Sequence, residues 1–145
     1  MVRIGKKIEG EKYTKRPGAY AIIERKEDNK IAIATVPWGD WFLLGGGIED
    51  KETEIEALKR ELIEESGYSI KNIKYFDKVT SWADGEKGLL DVTATVYTAE
   101  FDKKIAKPIE EDHQVVWVNP EEYKDRLFHE YQRYVLEEYV KLRTR

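Results

Sequence analysis

The sequence predicts a mixed α/β (α+β) fold, a sheet with helices packed on its faces. Three observations carry that expectation. Lys30–Val36 and Leu89–Phe101 alternate with a period of two, as strands do. Glu54–Ser66 repeats apolar residues at helical spacing. The elements run strands, helix, strands, helix, which suits antiparallel hairpins covered by helices.

Residues 1–16 are polar and basic without a period and are expected to be irregular or a short edge segment. Gly18–Arg25 reads as a strand, Glu27–Lys30 as a turn and Lys30–Val36 as its hairpin partner. Pro37-Trp38-Gly39-Asp40 breaks the pattern. Trp41–Leu44 is a short third strand, and Gly45-Gly46-Gly47 reads as a turn feeding the next helix. Thr53 is a suitable N-cap with Glu56 as its capping-box partner, so the helix spans Glu54–Ser66 and ends on a left-handed Gly67. Ile55, Leu58 and Leu62 form its core stripe. Ile70–Trp82 and Leu89–Phe101 are long strands around a hairpin loop, Ala83–Gly88. A polar loop, Asp102–Asp112, leads to a short strand, Val115–Val118. Asn119-Pro120 starts a helical turn, and His129–Leu142 is a final amphipathic helix.

At 145 residues, with 41% apolar and 37% charged residues, the chain suits one globular domain over residues 1–145. No apolar run approaches the ~20 residues of a membrane helix, and no leader is read at the N-terminus, so the expectation is a cytoplasmic protein. The absence of cysteine excludes thiolate catalysis and zinc–thiolate sites. A formal charge of -4 argues against a nucleic-acid duplex as partner, while a small phosphorylated ligand remains compatible.

The chemistry concentrates in Gly46–Tyr68. Glu61, Glu64 and Glu65 stand at i, i+3 and i+4, which puts three carboxylates on one helix flank. Their mutual repulsion is relieved by a cation, and oxygen donors suit Mg²⁺ or Mn²⁺. Glycines nearby let a backbone carbonyl approach, and Arg60 stands beside Glu61 to hold it. A glutamate-rich flank alone is ordinary solvated surface. The full spacing is what sets this one apart.

Gly46, Glu52, Arg60, Glu61, Leu62, Glu64, Glu65 and Gly67 resemble the Nudix hydrolase box: Gly, five residues, Glu, seven residues, Arg-Glu, an aliphatic, any residue, Glu-Glu, any residue, Gly. Chance agreement at a given start is near ~10⁻⁸ at ordinary residue frequencies. Tyr68 replaces the usual closing aliphatic, and Lys51 stands where many members have glycine. The approach W-x-L-x-G-G-G and the later V-V-W-V strand also look like the family. The resemblance implies an α/β/α sandwich around a central mixed sheet. It also implies Mg²⁺- or Mn²⁺-dependent hydrolysis of a nucleoside diphosphate linked to a moiety X, with a nucleoside triphosphate preferred. By position, Gly45 offers a carbonyl to the metal and Glu64 and Glu65 are ligands. Glu61 is a ligand or the general base, oriented by Arg60, with Glu52 behind them. One further ligand comes from the loop holding Glu110 and Glu111, with Glu110 preferred. A catalytically silent nucleotide-binding or regulatory module is the alternative, although no box carboxylate is missing.

Trp82, Tyr75 and Tyr97 are the candidates for stacking on a nucleobase, set against ordinary cross-strand packing. His113 reads as a loop residue, with substrate contact the lesser alternative, and His129 as structural. Lys12, Lys15 and Arg16 form a basic cluster read as a solvated face, with contact to phosphate the lesser alternative. Monomer and homodimer are both open.

Overall fold

In the computed structural model, residues 1–85, 87–109 and 112–143 are described. The elements are β1 Arg3–Ile4, β2 Thr14–Ile23, β3 Ile31–Thr35, β4 Trp41–Gly47, α1 Glu54–Ser66, β5 Tyr68–Gly85, β6 Gly88–Lys104, β7 Gln114–Val118, α2 Pro120–Tyr123 and α3 Glu130–Arg143, with a 3₁₀ turn at Lys124–Arg126. The strands form one mixed sheet in the order β1-β5-β6-β2-β4-β3-β7.

Two apolar layers enclose the sheet, and the alternation in β2 and β3 builds both. Ile31 and Ile33 join Tyr20, Ile22, Val135 and Leu136 on the α3 face. Ala32 and Ala34 join Ala19, Ala21, Leu58 and Leu62 on the α1 face. Ile/Ala alternation in place of apolar/polar alternation is what a strand covered on both faces requires, and alanines let α1 lie close. The arrangement is an α/β/α sandwich. Leu58 and Leu62 are fully buried, and α1 has the expected capping box and a left-handed Gly67 with φ 80°.

Three expectations need correction. First, β2 and β3 do not form a hairpin: they meet at the Glu24–Ile31 bridge, and β4 lies between them in the sheet. The first half of β4 pairs with β3 (Ile33 opposite Leu43) and its second half with β2 (Ala19 opposite Gly46). Second, Gly45–Gly47 are therefore strand, not turn; the connection to α1 is Ile48–Thr53. Third, most strands outrun their predicted ends. β2 begins at Thr14 because its exposed first residues still pair in parallel with β6 from Leu90 onward. The Ala83–Gly88 loop is mostly ladder, closing with Gly85 opposite Gly88.

Candidate active site

Helix α1 lays its glutamates against the glycine end of β4. Gly45 has φ +134°, and a Cβ there would stand 2.2 Å from the Ala19 carbonyl oxygen. Only glycine allows β4 this close to β2. At Gly46 an added Cβ would meet the Glu61 carboxyl carbon at 2.6 Å, so the missing side chain is the seat of that carboxylate. Glu65, 5% exposed, accepts the Gly45 N–H at 2.8 Å, a charge-assisted bond that holds a buried carboxylate on the backbone.

Arg60 organises the other side. Its Nε and Nη2 fork the Glu52 carboxylate at 2.7 and 3.0 Å, and Nη2 also reaches the Gly47 carbonyl at 3.0 Å. Its Nη1 donates to Glu61 at 3.0 Å and to Glu64 at 3.4 Å. The Glu52 hydrogen bond is the main force raising the Arg60 pKa. In return Arg60, with help from the Glu49 N–H, holds the Glu52 carboxyl down at about 2. The connecting loop needs Lys51 at φ +70°, which explains why a glycine suits this position better.

Gly45, Glu52, Arg60, Glu61, Glu64 and Glu65 are thus gathered at one place. Glu110 and Glu111 lie outside the described residues. Among the described residues no group of three or more acidic or histidine side chains is set as a metal cluster. Instead Glu61 and Glu64 converge on the guanidinium. The donors are carboxylate and carbonyl oxygens already gathered around a cation, and that chemistry fits a hard divalent ion.

A cleft opens on the α3 side, where the edge of β4 at Trp41–Leu43 that turns away from β3 has no strand ladder beside it. The run into α3 fills part of the gap: the Phe128 N–H donates to the Trp41 carbonyl at 2.9 Å, and buried Gln132 accepts the Leu43 N–H at 2.8 Å. What remains is a cavity of about 620 Å³ walled by Trp38, Asp40, Phe42, Phe128, His129 and the β5–β6 end at Ala83–Gly85. A second cavity of about 190 Å³ is lined by Gly45, Gly46, Glu65, His113 and Gln132. Arg16, Tyr20, Phe42 and His129 line both, so the two are one cleft. Its floor is the Tyr20–Tyr131 hydroxyl pair, 3.2 Å apart, with burial raising both phenols. His129 stacks on Tyr131 at 5.0 Å, and burial, then Arg16 and Arg133, push its pKa below the usual value. That shift favours the neutral ring.

The three candidate stacking residues lie elsewhere. Trp82 is clad by Tyr13, 4.7 Å between ring centres, and by the Arg3 guanidinium at 4.1 Å. It points to the sheet face opposite Ala83 and Leu90. Tyr97 is buried beneath α1 and donates to Glu54 at 2.8 Å, its pKa pushed up to about 12 chiefly by burial. Tyr75 is exposed and stands edge-on to Tyr97. Above the Tyr20–Tyr131 floor, the aromatics on the cleft's walls are instead Trp38, Phe42, Phe128 and His129. Three of them carried a usable signal: Trp38 inside a Pro-Trp-Gly-Asp break, and Phe128 and His129 directly before a helix.

The family model of the NUDIX domain matches residues 14–139. The chain belongs to the Nudix family. Nudix relatives include the nucleoside triphosphatase NudI of Escherichia coli, 29% identical over 116 residues, covering 72% of this chain and 76% of that one. A MutT NUDIX hydrolase from Burkholderia pseudomallei superposes with a TM-score of 0.66 at 27% identity, covering 86% of this chain and 97% of that one. A NUDIX hydrolase from Nitrosomonas europaea shares the fold with a TM-score of 0.73 at 17% identity, covering 88% and 90%. As a Nudix protein this chain is a hydrolase of pyrophosphate bonds in small nucleotide compounds. Among its described residues no helix is long and apolar enough to cross a membrane.

Proposed function

We propose that the protein is a Mg²⁺- or Mn²⁺-dependent pyrophosphohydrolase that converts a nucleoside triphosphate to the monophosphate and pyrophosphate. One observation carries the reading: the cavity with aromatic walls is continuous with the glycine–glutamate end. The base lies between Trp38, Phe42 and Phe128, where each stacking contact is worth ~1–3 kcal/mol. The phosphates then extend towards Gly45, Gly46 and α1. The triphosphatase name of the NudI relative supports the same substrate class.

Glu61, Glu64, Glu65 and the Gly45 carbonyl would hold the metal, which when bound neutralises phosphate oxygens and acidifies water. Arg60 keeps Glu61 and Glu64 together while Glu52 fixes Arg60 in turn. Glu61, seated on Gly46, takes the proton of the attacking water. The water oxygen bonds to phosphorus as the bridging P–O bond breaks, and the bridging oxygen leaves with the electron pair.

A panel of nucleotides turned over in ¹⁸O-labelled water with Mg²⁺ or Mn²⁺ tests this. The expected result is label in the monophosphate, with Glu64→Gln and Glu65→Gln lowering turnover by at least a hundredfold while the fold is kept. In addition, Mg²⁺ raises the melting temperature of the wild type and not of Glu65→Gln. Near-normal turnover in either variant sinks the metal assignment, and nucleotide binding without product favours a silent module.

A further inference from the structure

Among the described residues that line the cleft, Arg16 is the one permanent cation, and it lines both cavities. The carboxylates on the same walls are Asp40, Asp84 and Glu65. A polyphosphate entering between them needs positive charge, and Arg60 has none to spare: its nitrogens are committed to Glu52, Glu61, Glu64 and the Gly47 carbonyl. Arg16, by contrast, has no ion-pair partner among the described residues.

Its position is built, not incidental. Residues 16, 18 and 20 share one face of β2. Gly18 leaves that face empty, and the Tyr20 ring folds down over it: a Cβ at Gly18 would lie 2.8 Å from the ring. Across the ladder, Gly18 pairs with Gly47, and a Cβ at Gly47 would lie 3.3 Å from the Arg16 guanidinium. The missing side chain at 47 therefore leaves room for the guanidinium, and the one at 18 for the Tyr20 ring beside it, at the junction between the base cavity and the glutamates.

We propose that Arg16 binds the phosphate that remains attached to the nucleoside, the α-phosphate of the substrate and the sole phosphate of the monophosphate product. The order of the cleft supports this, since a base among the aromatics puts its nearest phosphate at the junction. The guanidinium fork matches two non-bridging phosphate oxygens, which a lysine ammonium cannot do. Arg16 is exposed, so its loss leaves the core intact.

The inference rests on the nucleoside triphosphate reading, and its test does not use turnover. Binding of nucleoside monophosphates and of inorganic pyrophosphate to the metal-free protein is measured by calorimetry, for wild type, Arg16→Ala and Arg16→Lys. Arg16→Ala is expected to weaken monophosphate binding about tenfold to a hundredfold, from the loss of a charge-assisted pair, with Arg16→Lys between the two. Pyrophosphate binding and the melting temperature stay unchanged. Equal monophosphate affinity in wild type and Arg16→Ala overturns the proposal, as does equal weakening for pyrophosphate or no monophosphate binding by the wild type. If Arg16→Ala behaves as expected but the wild type hydrolyses no triphosphate, the binding role stands and the proposed reaction falls.

Discussion

Two adjacent glycines are predicted to fail in opposite ways. An alanine Cβ at Gly46 meets the end of a side chain, the Glu61 carboxyl oxygens at 2.7 and 2.8 Å. Restoring an ordinary contact moves that carboxylate by about 0.7 Å, which the flexible glutamate allows. Gly46→Ala therefore folds, and the unfolded chain's lower entropy offsets part of any cost by ~0.4–1 kcal/mol. Its melting temperature stays within about 3 °C. A misplacement approaching 1 Å at the reacting groups costs up to ~10²-fold, so kcat/KM falls tenfold to a hundredfold. At Gly45 the same methyl meets backbone, 2.2 Å from the Ala19 oxygen and 2.6 Å from the Tyr20 Cα, at φ +134°. Backbone strain of ~1–3 kcal/mol adds to a forced separation of β2 and β4. With 145 residues the unfolding entropy is about 0.3 kcal/mol/K, so a loss of 3 kcal/mol lowers the melting temperature by about 10 °C. Calorimetric melts and steady-state pyrophosphate release, run on both variants, are the assay. If Gly46→Ala melts as low as Gly45→Ala, or keeps full turnover, the idea that the bare backbone at 46 seats Glu61 is wrong.

The Arg60 pair makes a pH prediction. Glu52 has its carboxyl depressed to about 2, against an ordinary value of 4.5, so its contribution is complete above pH 4.5 and disappears as pH falls towards 2. Melting temperatures of Glu52→Gln should therefore fall less steeply than those of the wild type between pH 5 and 2.5; parallel curves would contradict this. Asp28, held near 2 by Arg25, contributes to both proteins alike and cancels in the difference. Leu62→Ala, at a fully buried position between α1 and the sheet, should cost ~2–5 kcal/mol, read as a lower urea midpoint at unchanged slope. A loss below 1 kcal/mol would mean that α1 is not anchored there.

Helix α1 was readable to the residue because its signals are local: Thr53 and Glu56 close the cap, Gly67 ends it, and the leucine spacing marks the buried side. The box glutamates were readable for the same reason. Strand pairing is not local. Nothing in the short turn after Arg25 says that a later segment will lie between the two strands it joins, so β2 and β3 looked like a hairpin. The glycines at 45–47 looked like a turn because their flexibility was visible and the neighbouring backbone they accommodate was not. The cleft was the least legible part, since its walls come from β2, the loop at Trp38–Asp40, the β5–β6 end and the start of α3. Arg16 reads from sequence as part of a basic cluster, a solvated face first and a phosphate contact second; its place beside Gly47 at the junction of the two cavities is visible only in space.

The Gln132 bond to Leu43 ties two rates together. The Leu43 N–H sits in the middle of a strand, yet a side chain of α3 protects it, not a neighbouring strand. Its hydrogen–deuterium exchange therefore follows the undocking of α3, while the amides on either side follow opening of the sheet. One amide thus records how often the floor of the cleft lifts away in the native protein.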